Sequence, residues 1–322
     1  MADRPPYKKA ALLYNPTSGQ QRHLRLAKIN AAAQALQAAG ILTTLVPTEG
    51  PGTAGRQAVE AVAQGHDLIF ACGGDGTIHD VLQGVVSGAP NVPIGIVPLG
   101  TGNVLAFDLG IPRNPASAIQ KQLSFVPRKI AAGQIEFQTR SGSRDSRYFT
   151  LMAGVGTDAL MLYRVHAGLK KRIGIFEYFR QAFRVVLAHP YEEFLLHLGS
   201  VNEKRSVAVS QFNAVRVANI GNRFRYFAMD SALERDDFHV VLVATANPVR
   251  TLQYFLRRFG RLTWRVPGID DAMCTELYCE AKPGQQYAHG IYAQADGELL
   301  GGLPVTIRIV PNAFTLLVPP GR

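Results

Sequence analysis

Three short loops carry the residue types that could do chemistry: "NPTSG" (residues 15–19), "GGDGT" (73–77) and "PLGTGN" (98–103). Each follows an apolar run that reads as a strand. Glycine lets backbone N–H groups come close to phosphate oxygens, and a helix starting just after such a loop adds positive potential. Three loops of this kind, leaving the carboxyl ends of neighbouring strands, could form one phosphate site. Asp75 is the odd residue among them, because a carboxylate repels phosphate unless it works through a cation or a proton. A P-loop is excluded, since G-x-x-x-x-G-K-[ST] is absent. A dinucleotide-binding fingerprint is also a poor fit, because no G-x-G-x-x-G follows a strand with an acid about twenty residues on.

The elements that must hold these loops alternate over the first 125 residues. Strands are predicted at Lys8–Tyr14, Ile41–Val46, Asp67–Cys72 and across "VPIGIVPLG". Helices are predicted over "HLRLAKINAAAQALQAAG" with Gly40 as its stop, from a Thr53 cap to about Gln64, over Thr77–Val86, at Val104–Leu109 with Asn103 as its cap, and at Pro115–Leu123. That alternation implies a mostly parallel sheet covered on both faces. After about residue 128 short strand-like runs take over: "AGQIEFQTR", "RYFTLMAGVG", "EEFLLHLG", "SVAVSQFNAVRVANIG", "FHVVLVATAN", "TELYCEA", "YAQADGE" and "VTIRIVP". They suggest a β-sandwich-like second domain, with "TRSGSRDSR" (139–147) as a hairpin tip. The expected fold is α/β with two domains: an N-terminal α/β sandwich over 1–128, on which a tail from about 307 packs back, and a β-rich domain over 129–306. With no strong linker between them, the active site is expected in their cleft.

Hydrophobic residues make up 47% of the 322 and charged residues 18%, enough apolar material for real cores. No apolar run reaches the length of a membrane-spanning helix and no signal-peptide pattern opens the chain, so a cytoplasmic protein is expected. Three cysteines, Cys72, Cys274 and Cys279, suit buried thiols rather than disulfides or a zinc site. The net charge of +10 favours a polyanionic partner: a phosphorylated substrate, an anionic membrane or nucleic acid. Nucleic acid ranks last, because charge alone supports it.

Taken together, "YNPTSGQ", "GGDGTIHDVLQG" and "VPLGTGNVLAFDLGIP" resemble the catalytic domain of the diacylglycerol kinase and sphingosine kinase superfamily. The likeness extends to "AGVGTDA" (153–159), "LKKRIGIFEY", "ADGELL" (295–300) and the closing "PVTIRIVPNAFTLLVPP". The resemblance implies an NAD kinase/diacylglycerol kinase-like fold and an ATP- and Mg²⁺-dependent lipid kinase. Asn15, Ser18, Gly19, Gly73, Gly74, Gly76, Thr77, Gly100, Thr101, Gly102 and Asn103 would then line the nucleotide phosphates. Lys170, Lys171 and Arg172 would reach phosphates or lipid headgroups. Asp75 would help hold Mg²⁺ or accept the proton of the attacking hydroxyl, and Glu298 is the other candidate base. The chain departs from the family at "ERDDFHVV", where Asp237 stands in place of a glycine. Asp236 and Asp237 are metal candidates there, with a solvated acidic turn as the alternative.

"LQYFLRRFGRLTWRV" (252–266) mixes aromatic residues, including Trp264, with Arg257, Arg258, Arg261 and Arg265. Such a segment suits peripheral attachment to an anionic bilayer, and a helix packed on the sandwich is the plainer alternative. Competing functions are NAD kinase, which shares "GGDGT" but usually carries a G-S-T-A-Y-like element absent here, and a non-catalytic nucleotide- or lipid-binding protein on the same scaffold. Oligomeric state and the identity of the lipid are left open.

Overall fold

The computed structural model describes residues 6–16, 22–156, 159, 192–199, 204–217, 232–245, 247, 249–250, 253–254, 257, 264–285, 287 and 290–321. The chain divides into two compact units. One holds the described residues up to Ala132 and again from Pro311, and the other those from Gly133 to Val310.

In the first unit, strands β1 (Lys9–Tyr14), β2 (Leu42–Pro47), β3 (Leu68–Gly73) and β4 (Pro93–Pro98) alternate with helices α1 (Arg22–Ala38), α2 (Ala54–Ala63) and α3 (Asp75–Gly88). Two shorter helices follow, α4 (Val104–Asp108) and α5 (Pro115–Gln122). The strands pair in parallel in the order β2-β1-β3-β4. Every residue of β3 is buried, as expected of a parallel strand with both faces covered. Between β1 and β3 the order reverses direction, which puts a topological switch point at their carboxyl ends. Asn15 and the Gly73–Gly74 turn leave the sheet there. Asn114 caps α5 by accepting from the Ser117 N–H at 3.0 Å, with Pro115 at the first helical position. The helix returns the completely buried Gln122 to β4, where its side chain pairs with both the N–H and the C=O of Ile96.

Two details differ from the sequence expectation. Helix α3 begins at Asp75, two residues before Thr77, so the aspartate lies in its first turn. Thr53 does not cap α2 with its side chain. Its hydroxyl donates instead to the Gly50 carbonyl (2.8 Å), closing the loop before the helix.

The second unit is built on β5 (Val126–Gln138), β6 (Arg144–Phe149), β7 (Met152–Gly156), β8 (Phe194–Gly199), β9 (Lys204–Val209), β10 (Gln211–Val215), β11 (Phe238–Val243), β12 (Ile269–Cys274), β13 (Glu276–Glu280), β14 (Tyr292–Ala295) and β15 (Glu298–Val318). The chain passes from one unit to the other within β5 and again within β15. One run of strands is β12-β11-β10-β7-β14-β15, antiparallel throughout, and a second is β9-β8-β13-β15. Side chains of both runs, among them Phe212, Phe238 and Ala293 from the first and Phe194, Leu277 and Ile307 from the second, enter one buried cluster. This is the sandwich-like core expected from alternating strands. Strand β12 was not expected. Its sequence, IDDAMC, carries two exposed acids, Asp270 and Asp271, and only its ends are buried. Residues 139–143 form the tip of the β5–β6 hairpin, with the Thr139 N–H donating to the Ser143 carbonyl.

Candidate active site

The β3 and β4 exits are locked together in the first unit. The Leu99 N–H donates to the Gly73 carbonyl at 2.9 Å, extending the β3–β4 ladder into the loops. Beyond it, a side chain on Gly100 would put its Cβ 2.4 Å from the Gly74 Cα, so the two loops touch backbone to backbone. Asn103 fixes the second loop. Its Oδ1 accepts from the Gly100 N–H (2.9 Å) and its Nδ2 donates to the Gly100 carbonyl (2.7 Å). The residue is buried and left-handed, with φ of 51°. The side-chain cap expected of Asn103 is therefore absent: both ends of its amide are spent on the turn.

Asp75 sits where these loops meet. Its position in the first turn of α3 places the negative charge at the positive end of a fourteen-residue helix. Its Oδ1 faces the Leu105 N–H at the start of α4, at 3.4 Å, and its Oδ2 lies 2.9 Å from where a Gly102 Cβ would be. Thr101, Gly102 and Gly76 are exposed around the half-buried Asp75. Thr77 folds back over Gly73, whose missing side chain makes room for it. Asn15 lies at the end of β1, where Arg25 from α1 donates to its carbonyl at 3.2 Å. Arg25 was not singled out in the sequence, and nothing in its surroundings there marks it. Ser18, Gly19, Lys170, Lys171 and Arg172 lie outside the described residues.

The arrangement fits a nucleotide–magnesium group. Exposed glycines line it, Gly76 and Gly102 bring no side chain of their own to the space beside Asp75, and a carboxylate there suits a hard cation.

In the second unit, the "ADGE" stretch forms a two-residue hairpin turn. Asp296 (φ 47°) and Gly297 (φ 87°) are both left-handed, and Ala295 pairs with Glu298 across them. The Asp296 carboxylate is a structural hub. It accepts from the backbone N–H groups of Thr150 (2.9 Å), Leu151 (2.9 Å) and Met152 (3.0 Å), and from the Thr150 hydroxyl (3.3 Å). Its own N–H donates to the Met152 carbonyl. Glu298 stands exposed at the start of β15, next to this anchored turn. Sequence reasoning picked out Glu298 and passed over Asp296, although an acid directly before glycine at a hairpin is the available signal.

The acidic turn before β11 contains a buried cation of its own. Arg216, completely buried after β10, donates from Nη1 to the carbonyls of Arg235 (2.6 Å) and Asp237 (3.2 Å), and from Nη2 to that of Leu233 (2.7 Å). Burial lowers its pKa to about 10, while Asp236, Asp237 and Glu234 pull the other way. The Asp237 carboxylate is paired with Arg235. Among the described residues, no group of three or more acids, histidines or cysteines is placed to hold a metal ion, at this turn or elsewhere.

A concavity of about 330 Å³ in the same unit has Tyr287, Ile291 and Leu303 on its apolar side and Gln138, Thr139 and Arg140 among its polar residues. Of the aromatic and basic segment 252–266, Tyr254 and Val266 pack inward on Val241, Val243 and Ile269, whereas Trp264 is exposed. No helix among the described residues is long and apolar enough to cross a membrane.

Known proteins resemble the chain in sequence and in fold. Residues 9–135 match the diacylglycerol kinase catalytic domain family. The chain is 30% identical over 243 residues to a diacylglycerol kinase of Bacillus subtilis, a match covering 74% of this chain and 75% of that one. It is 31% identical over 180 residues to a diacylglycerol kinase of Staphylococcus saprophyticus, covering 56% of this chain and only about half (55%) of the relative. A crystal structure of a diacylglycerol kinase from Bacillus anthracis superposes with a TM-score of 0.69 at 18% identity, covering 98% of each chain. At that identity the likeness shows the fold.

Proposed function

The chain belongs to the diacylglycerol kinase family, and from that membership we propose that it transfers the γ-phosphate of ATP to a hydroxyl of diacylglycerol or a related lipid. The observation that carries the reading is the joined pair of loops, with Gly74 against Gly100 and the Asp75 carboxylate over Gly102. Phosphoryl transfer asks a protein mainly to position phosphates and neutralise their charge. The start of α3 and the loop backbone around the exposed Gly76, Thr101 and Gly102 would do the first. ATP supplies the phosphoryl group and Mg²⁺ the neutralising charge, and Asp75 is the residue that would hold the cation.

Asp75 and Glu298 are the two carboxylates proposed for proton removal from the lipid hydroxyl. Each has a structural reason to be well ordered: Asp75 lies in a helix first turn, and Glu298 follows a turn tied down by three amides. The apolar side of the Tyr287–Leu303 concavity offers contact to lipid, and exposed Trp264 beside Arg265 supports reversible attachment to an anionic bilayer. Asp236 and Asp237 are the metal candidates of the acidic turn, where the Arg216 guanidinium on the carbonyls of Leu233, Arg235 and Asp237 is a competing positive charge.

The test is transfer of label from γ-labelled ATP with Mg²⁺ to diacylglycerol, monoacylglycerol, sphingosine or phosphatidylglycerol in mixed micelles, with NAD in a parallel reaction. The expected result is a labelled lipid, lost in Asp75→Ala. Label appearing only in NADP would overturn the reading.

A further inference from the structure

Arg216 sits in an apolar stretch, "NAVRVAN", and its burial needs a reason. A guanidinium offers five N–H donors in a fixed plane. Here it reaches three carbonyls of one turn, those of Leu233, Arg235 and Asp237, which must point inward to meet it. The turn is thus folded around a cation that belongs to the chain, and its acids at 234, 236 and 237 balance that charge.

The same residue faces the opposite way through its backbone. The Arg216 N–H donates to the Leu151 carbonyl at 2.9 Å. The Leu151 N–H in turn donates to the Asp296 carboxylate at 2.9 Å. A continuous path of hydrogen bonds therefore runs from the 233–237 turn through Arg216 and Leu151 to Asp296. The strand order keeps it in register, because Val215 pairs with Met152 on β7 and with His239 on β11.

We propose that Arg216 is a positioning residue for the Asp296–Glu298 hairpin, holding the 233–237 turn with its guanidinium and the Leu151 carbonyl with its backbone N–H. Glu298 is then placed through contacts on both sides of the Leu151 backbone, which lies between β6 and β7. The link to catalysis rests on the kinase reading above; the structural coupling does not.

Hydrogen exchange on the full chain tests the coupling without any substrate. In Arg216→Lys, which keeps the charge but loses the planar fork, amides of 150–152 and 296–299 should exchange at least tenfold faster, as should those of 233–237. Asp296→Asn examines the path from its other end and should speed exchange at 233–237, which guards against an Arg216 variant that fails to fold. A rise confined to the mutated element in each case would overturn the proposal. In the lipid-kinase assay, Arg216→Lys should lower kcat about tenfold with the KM for ATP unchanged, and guanidinium ion below denaturing concentrations should partly restore kcat in Arg216→Ala. A kcat unchanged in Arg216→Lys would overturn the positioning role. If the wild type labels no lipid while exchange remains coupled, the kinase reading fails and the positioning of the hairpin stands.

Discussion

The Asp75 carboxylate occupies the space that a side chain on Gly102 would need: a Cβ there would lie 2.9 Å from Oδ2. Gly100 has a different neighbour, since its Cβ would lie 2.4 Å from the Gly74 backbone. Gly102→Ala displaces the movable end of a side chain, whereas Gly100→Ala drives two backbones apart. We expect Gly100→Ala to cost about 1–3 kcal/mol of stability, in the range of overpacked cores. Gly102→Ala should leave the denaturation midpoint nearly unchanged and lower phosphate transfer at least tenfold by moving Asp75. Urea melts and initial rates on both variants check this, and an active Gly102→Ala enzyme would show that the carboxylate's position is not used.

Asp75 and Glu298 should separate kinetically. Asp75→Asn should raise the Mg²⁺ concentration needed for half-maximal rate, because it removes the carboxylate proposed to hold the cation. Glu298→Gln should lower kcat roughly 10²–10⁴-fold, the usual contribution of a positioned base. It should leave the Mg²⁺ dependence alone. Should kcat at saturating Mg²⁺ fall that far in Asp75→Asn while Glu298→Gln keeps its turnover, the proton goes to Asp75.

The three thiols predict how stability varies with pH. Cys72, Cys274 and Cys279 are all buried. Burial pushes the Cys274 thiol up to about 12 and the other two higher still. The folded chain therefore keeps protons that the unfolded chain releases once pH passes the ordinary thiol value. Stability from this source is complete below that value and falls above it, by about 1.4 kcal/mol per pH unit per thiol. Urea midpoints measured between pH 7 and 10 should drop past pH 9, less steeply in Cys279→Ala. A thiol reagent at pH 8 should label the native chain slowly and the unfolded chain at all three positions.

Much of the first unit was legible because its signals are local. Its strands are short apolar runs closed by glycine or proline, and its helices begin and end near the residues that break them. The three glycine loops could be placed at strand exits for the same reason. What failed was the use of particular polar side chains. Thr53 and Asn103 stand at cap positions, yet each satisfies backbone groups of the preceding turn. Either use satisfies the same atoms, and only the turn geometry decides between them. Strand β12 was hidden by its acids, which an edge strand can leave in water. Arg216 could not be read at all, because its three acceptors lie 17 to 21 residues further on. In Asp296 the motif was visible and the role was not: the amides it holds are about 145 residues earlier.

Strand β4 completes its pairing late. One edge is held by β3 from the start, but the other accepts Thr315 and Leu316 in parallel. On a ribosome those residues appear about 220 positions after β4, a wait of roughly 10–40 s at ordinary synthesis rates. During that interval a buried-type strand presents an unpaired row of N–H and C=O groups, the situation in which nascent chains engage chaperones or one another. The loops of the candidate site therefore hang from a sheet that is finished only when a segment about 220 positions further along has been made.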